Sequence, residues 1–347
     1  MTVLVTGATG YVGGLTAAAL REHGGYGDVI ALGSAEADLT VPGALDVIPT
    51  DGITHIVHSA AVTKFGIDRA TAKAVNIEGT EQVVEFARRC PDLERFVFIS
   101  TLYTAGLATG EITEEPAGII EEPANAAAEA PNATETVRFG NYYEWSKHAA
   151  ERLVLECGLP ATIARVSTLI ADEDNGHVSQ YNAVHNTFRL FFYGMLSLMP
   201  GDADVPVPVA TGDFTAAALM AVLAAEPGFY NVCPDVAQTP SLGQLMDAMF
   251  TAFEREPSYI RRGIRRPLLV QHSVFADLLA GLRTMPRGPV LDALESVSPF
   301  SSQLYKSKTF DNTRLRKAWP GYHAPDPLAL MSETADYLVR TRWGRNA

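Results

Sequence analysis

An α/β fold is predicted: a doubly wound parallel sheet followed by a smaller C-terminal α/β region. Three observations point there. The chain opens on a β-branched run, Thr2–Thr6, then glycines at positions 7, 10 and 13, then a helical stretch, Leu15–Glu22, stopped by Gly24-Gly25. Short apolar strands recur at Asp28–Leu32, Thr54–His58, Arg95–Ser100, Pro160–Val166 and Phe229–Val232, with helical sequence between several of them, the pattern of βαβ units. The 347 residues, 47% of them hydrophobic, suffice for one large domain or two joined ones.

The first strand, the glycine turn and the helix start together form an anion site. Backbone N–H groups and the helix dipole face a pyrophosphate, and glycine lets it approach. An ordinary strand–helix turn is the bland alternative; the place of the turn directly after a clean N-terminal strand favours a dinucleotide site. The second strand ends in Gly33-Ser34, without the carboxylate that grips a ribose 2′-hydroxyl in NAD sites. That favours NADP, with NAD as the alternative, since no Arg or Lys follows to pair the extra phosphate. Asp38-Leu39-Thr40 has the form of a helix cap before Pro42.

At the third strand's end, Ser59, Ala60 and Ala61 are small enough for a cofactor to lie against the backbone, while His58 is expected to be a packed residue. Asn76 opens a helix running through Arg89. The next strand presents Ser100-Thr101 at its C-terminal end, where open α/β sheets place ligands and a hydroxyl can bond a substrate carbonyl oxygen. Leu107–Gly140, with two Glu-Glu-Pro copies and an Ala-rich acidic run, is a surface excursion over the site mouth and a candidate lid.

Asn141-Tyr142-Tyr143-Glu144-Trp145-Ser146-Lys147 then opens a helix to Glu156. Residues four apart share a face, so Tyr143 and Lys147 point the same way; Tyr142 is one residue out of step. A phenol titrates near ~10 when unperturbed, and an adjacent ammonium is expected to lower that value, allowing proton exchange with a substrate oxygen near neutral pH.

Beyond Ser167-Thr168 the chain is less legible. Gly176–Phe192 is expected as helix and loop over the substrate, Val205–Val209 as an edge strand because of its prolines, and Ser241–Phe253 as an amphipathic helix. Residues 1–170 are assigned to the dinucleotide-binding domain, with 206–233 returning to it, and 171–205 plus 234–347 to the substrate-binding region. Arg261–Arg266 is a basic cluster, read either as a solvated face or as a dock for substrate phosphate at the pocket mouth.

The formal charge of −13 argues against nucleic acid and anionic membrane as partners. No run of eighteen apolar residues is present and the chain starts directly on a strand, so a cytoplasmic protein is expected. Cys90, Cys157 and Cys233 are scattered; they suggest reduced buried thiols, and no metal site is expected.

The order and spacing of Gly7/Gly10/Gly13, His58-Ser-Ala-Ala61, Asn76, Ser100-Thr101 and Tyr143 with Lys147 resemble an extended short-chain dehydrogenase/reductase over residues 1–170. Within that superfamily the chain is most similar to the fatty acyl reductase and thioester reductase-like branch. The matching stretches are Val62-Thr-Lys-Phe65, Ile99-Ser-Thr-Leu-Tyr103, Gly140–Lys147, Arg165-Val-Ser-Thr168 and Lys308-Thr-Phe-Asp-Asn312. It departs after the second strand: thioester reductases typically carry a longer segment there with a basic residue for NADP, whereas here Leu32 reaches Asp38 almost at once.

The resemblance implies a Rossmann fold and an NAD(P)-dependent oxidoreductase, in which Thr101 polarises a carbonyl, Tyr143 donates the proton, Lys147 tunes it and holds the nicotinamide ribose, and Asn76 supports a water relay. It implies cofactor contacts from Gly7, Thr9, Gly10, Tyr11, Val12, Gly13, Asp38, Leu39, Ser59, Ala60, Ala61, Ser100, Tyr143, Lys147, Val166 and Ser167, with Asp38-Leu39 on the adenine. The substrate would be a small or carrier- or CoA-linked thioester, aldehyde or ketone, and the oligomer a homodimer. A nucleotide-sugar epimerase on the same scaffold is the competing reading. It is disfavoured by Leu102-Tyr103, where dehydratases of that type need carboxylates, and by Ser167-Thr168-Leu169 in place of Tyr-Gly-Pro. A non-catalytic cofactor sensor would usually lack the Tyr/Lys pair.

Overall fold

The structure, a computed structural model, describes residues 1–116, 118–120 and 136–344. Six parallel strands form the central sheet: β1 (Thr2–Thr6), β2 (Asp28–Leu32), β3 (Ile53–His58), β4 (Arg95–Thr101), β5 (Ala161–Val166) and β6 (Phe229–Val232), in the order β2-β1-β3-β4-β5-β6. Leu4 pairs with Ile30 and Ile56, Val57 with Val97, and Ile99 with Ala164. Both faces are covered, which is why these strands are nearly continuous apolar runs. The strand order reverses between β1 and β3, and a crevice opens at such a switch at the strands' C-terminal ends. Residues 33–52 contain only turns, so no strand lies outside β2.

Helices α1 (Tyr11–His23) and α4 (Gly212–Ala224) cover one face over Val3, Val5, Val97 and Ile99. Helices α2 (Gly79–Arg88) and α3 (Tyr142–Leu155) cover the other over Leu4, Ile56, Phe96 and Phe98. Beyond the sheet, α5 (Leu242–Phe253), α6 (Pro289–Ser301) and α7 (Pro327–Arg340) enclose a separate apolar core that includes Phe191, Phe250, Phe253, Val297 and Leu338. This C-terminal part is mainly helical, with one two-stranded pair, Leu198–Pro200 beside Leu268–Val270.

Several boundaries differ from expectation. Helix α1 begins at Tyr11 rather than Leu15, capped by Gly10, so Gly13 lies inside it. A Cβ on Gly13 would run into the Gly7 carbonyl, and this close approach outweighs glycine's poor helix propensity. The predicted edge strand Val205–Val209 is instead Val209–Thr211, paired with Thr168–Ala171. Pro206 and Pro208 lack the N–H that would extend it, and Pro206 makes only an isolated bridge to Ser241. The helix expected from Asn76 begins at Gly79; Asn76 sits in a π-helical turn, Ala72–Glu78.

The start of the acidic excursion is docked, not free. Gly110–Ile112 pairs with Lys308–Phe310. Buried Glu114 accepts backbone N–H groups of Asn231 at 3.0 Å, Leu315 at 3.3 Å and Arg314 at 2.5 Å, and burial pushes its carboxyl up to about 7. Its middle, 121–135, lies outside the described residues. Among the described residues, no helix is long and apolar enough to cross a membrane.

Candidate active site

Helix α3 starts where the Asn141 side chain accepts the Glu144 N–H at 3.0 Å. That start brings Tyr143, on the first turn, to Thr101 at the C-terminal end of β4. The Phe65 ring meets Tyr143 edge-on at 5.4 Å and Tyr103 at 4.9 Å, and Ile67 and Ala72 pack alongside. Burial raises the Tyr143 phenol well above its usual value; a hydrogen bond with the Thr101 hydroxyl opposes this without reversing it. One turn on, Lys147 Nζ donates to the Ile99 carbonyl at 2.8 Å and lies 3.8 Å from the centre of the Phe98 ring. Burial lowers its pKa to about 7, against the pull of Glu151. The expectation that Lys147 lowers the phenol's pKa is therefore corrected: removal from water dominates both groups.

Ser100, expected to touch the cofactor, does not face the site. Neighbouring strand residues point to opposite faces, and the Ser100 hydroxyl donates to Glu151 Oε1 at 2.6 Å beneath α3. Glu151 also holds Arg165 through contacts of 2.7 and 3.0 Å. Burial pushes the Glu151 carboxyl up, but Arg165 and Ser100 hold it below its usual range, so the group fastens the helix to the sheet. Asn76 is likewise a positioning residue. Its Oδ1 accepts the Val62 N–H at 2.8 Å, and its Nδ2 donates to Val62 O at 3.1 Å and to Ser146 Oγ at 2.9 Å. Both amide protons are thus taken by protein groups. His58 is packed between Thr6 at 2.7 Å and Thr80 at 2.9 Å, and burial lowers its pKa to about 3.

The glycine turn fits a dinucleotide. Gly7 has φ +70°, and a Cβ there would lie 2.5 Å from Ala60 N, so the turn rests against Ser59-Ala60. Thr9 and Gly10 are exposed, and a Cβ on Gly10 would meet only the Gly7 carbonyl, at 3.2 Å. At the end of β5, the buried Ser167 hydroxyl has no partner, as expected of a group waiting for a ligand. Val166 is partly buried beside it. The side chains of four residues expected at the cofactor are committed elsewhere. Tyr11 turns its phenol to Asp172 and, at 3.3 Å, to the Ala171 carbonyl, away from the turn; Val12 packs on the sheet. Leu39 is buried against Gly79, and Asp38 closes a local turn onto Thr40 at 2.7 and 3.0 Å instead of capping a helix.

A family model described as "Male sterility protein" matches residues 43–219, just over half of the chain. The chain belongs to the male sterility protein family. Among curated relatives of this male sterility family chain, a putative fatty acyl-CoA reductase of Drosophila melanogaster is 26% identical over 182 residues, covering 47% of this chain and 34% of that protein. The chain thus spans about a third of that relative's length. Among solved structures, the terminal R domain of the myxalamid PKS-NRPS biosynthetic pathway matches with a TM-score of 0.69 at 17% identity, covering 99% of this chain and 91% of that domain. The UDP-glucuronic acid 4-epimerase of Bacillus cereus, solved with NAD, reaches 0.62 at 15% identity, with 98% and 99% covered. At such identities these two establish the extended Rossmann fold alone.

In this male sterility family chain, sequence reasoning missed the polar network around Glu144. Its carboxylate is fully buried and accepts the Gly140 N–H at 2.9 Å, Asn141 Nδ2 at 2.8 Å and Gln303 Nε2 at 2.8 Å. Gln303 Oε1 in turn accepts Lys308 Nζ at 2.6 Å. Burial raises Glu144, while Lys308 falls to about 8 by burial, against the attraction of Glu144. The only sequence signal was a carboxylate inside an otherwise buried helical turn. A small cavity, about 50 Å³, is lined by residues that include Leu102, Tyr103, Thr168, Pro206, Gln303 and Lys308. The Arg261–Arg266 cluster does not line it. Arg262 stacks on Phe192 at 4.5 Å, Arg266 pairs with Glu254 and Asp247 at 2.8 Å each, and Arg261 and Arg265 are exposed, as a solvated face requires.

Proposed function

We propose that this chain is an NAD(P)-dependent reductase that delivers hydride to the carbonyl carbon of a thioester, aldehyde or ketone in a biosynthetic intermediate. The observation that carries the proposal is the convergence of Thr101, Tyr143 and Lys147 at the C-terminal end of β4, on a fold whose glycine turn fits a pyrophosphate. A nicotinamide bound there would supply the hydride. Thr101 and Tyr143 hydrogen-bond the carbonyl oxygen, and Tyr143 gives it a proton as charge develops. Because burial raises the phenol, the proton is on Tyr143 at neutral pH, the form that a reduction needs. Lys147 stabilises the resulting phenolate and holds the ribose. Hydride plus one proton turns an aldehyde or ketone into an alcohol. The same addition turns a thioester into a hemithioacetal, which collapses to aldehyde and thiol. The family and its fatty acyl-CoA reductase relative support a CoA- or carrier-linked acyl group as the substrate.

The test is consumption of reduced cofactor against a panel of acyl-CoA, aldehyde, ketone and nucleotide-sugar substrates. Net consumption with a thioester or aldehyde is expected. Conversion of a nucleotide sugar without net cofactor consumption would favour the epimerase reading instead.

A further inference from the structure

We propose that Glu36 makes this protein select NAD(H) over NADP(H). The proposal rests on the dinucleotide reading of the glycine turn and adds a specificity to it. Strand β2 ends at Leu32, whose carbonyl accepts the Ala8 N–H of the glycine turn at 3.0 Å. The next residue, Gly33, donates its N–H to Glu36 Oε2 at 2.8 Å. A Cβ on Gly33 would lie 2.9 Å from Thr9 Oγ1 and 3.0 Å from Glu36 Oε2. Thr9 and the Glu36 carboxylate therefore flank one point at the C-terminal end of β2, beside the turn that holds the pyrophosphate. A dinucleotide's adenosine ribose reaches this place, and a carboxylate there accepts the 2′-hydroxyl.

The strand itself offers no such carboxylate; a tight turn brings one back from three residues further on. Glu36 is exposed, and one bond to Gly33 leaves it further acceptor capacity. A 2′-phosphate would instead meet like charge. Residues 33–52 contain no Lys or Arg, but they do contain Glu36, Asp38, Asp46 and Asp51. Arg89, which reaches this segment, is paired with Asp46 at 2.8 Å. Selection thus acts twice, by accepting the hydroxyl and by repelling the phosphate.

The experiment is calorimetric titration of NADH and NADPH into the parent, Glu36→Gln and Glu36→Ala, with thermal melts confirming that each variant is folded. The parent should bind NADH more tightly than NADPH by at least roughly tenfold, the scale of one charge-assisted hydrogen bond. Glu36→Gln should raise NADPH affinity by removing the repulsion, and Glu36→Ala should weaken NADH. Equal or tighter NADPH binding by the parent, or an NADH/NADPH ratio that neither variant moves, overturns the proposal while leaving the dinucleotide site intact. Binding of neither nucleotide overturns the dinucleotide reading itself, and the proposal with it.

Discussion

Lys147 is an amine held where water cannot reach it. Its ordinary value of 10.5 falls to about 7 in the folded chain, so between those two pH values the unfolded chain binds the extra proton and the folded one does not. Stability attributable to this residue therefore rises with pH across that window, and the penalty of burying the charge is complete below it. Lys147→Met removes the penalty at the cost of an unpaired Ile99 carbonyl. The melting temperature of the variant minus that of the parent should be most favourable near pH 6 and decline steadily towards pH 10; a difference independent of pH would show that Lys147 keeps its proton. Such a stored cost is characteristic of a functional group. Thr101 and Ser100 make the complementary point. They are adjacent in sequence, but the two-residue period of a strand sends one hydroxyl to Tyr143 and the other to Glu151.

At the scale of elements, the three glycines of the turn differ in kind. Gly7 has a positive φ and no room beside Ala60, whereas Gly10 is extended, exposed and nearly free of neighbours. Gly7→Val should lower the melting temperature sharply or prevent folding. Gly10→Val should fold normally and lose dinucleotide binding, because its branched side chain occupies the anion's approach. Calorimetry that finds normal binding in a folded Gly10→Val protein would show that the turn is not the cofactor cradle. The turn was legible because strand, glycines and helix are consecutive, so local physics fixes them. The central strands were legible to within a residue or two for the same reason, from Asp28–Leu32 to Phe229–Val232. Asn76 was not. A π-helical turn has no distinctive composition, and the carboxamide is committed to Val62, fourteen residues away along the chain.

At the scale of the whole molecule, the C-terminal residues complete the site from a distance. Gln303 reaches Glu144 across 159 positions, and Lys308 joins it through Gln303 while its strand clamps Gly110–Ile112. No period or motif encodes contacts of that range, so this half of the site is opaque in the sequence, although Lys308-Thr-Phe-Asp-Asn312 matches the resembled branch. The result is a catalytic helix fixed at three places: to the sheet through Glu151, to the π-helical turn through Ser146, and to the C-terminal segment through Glu144. In the proposed mechanism this helix positions one phenol, Tyr143, as the acid. The measurement that addresses it most directly compares turnover and cofactor affinity of Tyr143→Phe with those of the parent, on the best substrate of the panel. Removing the hydroxyl while keeping the ring should cut kcat by at least ~100-fold, the usual scale of general acid catalysis, and leave cofactor affinity unchanged. Undiminished turnover in a correctly folded Tyr143→Phe protein would contradict the assignment of Tyr143 as the proton donor.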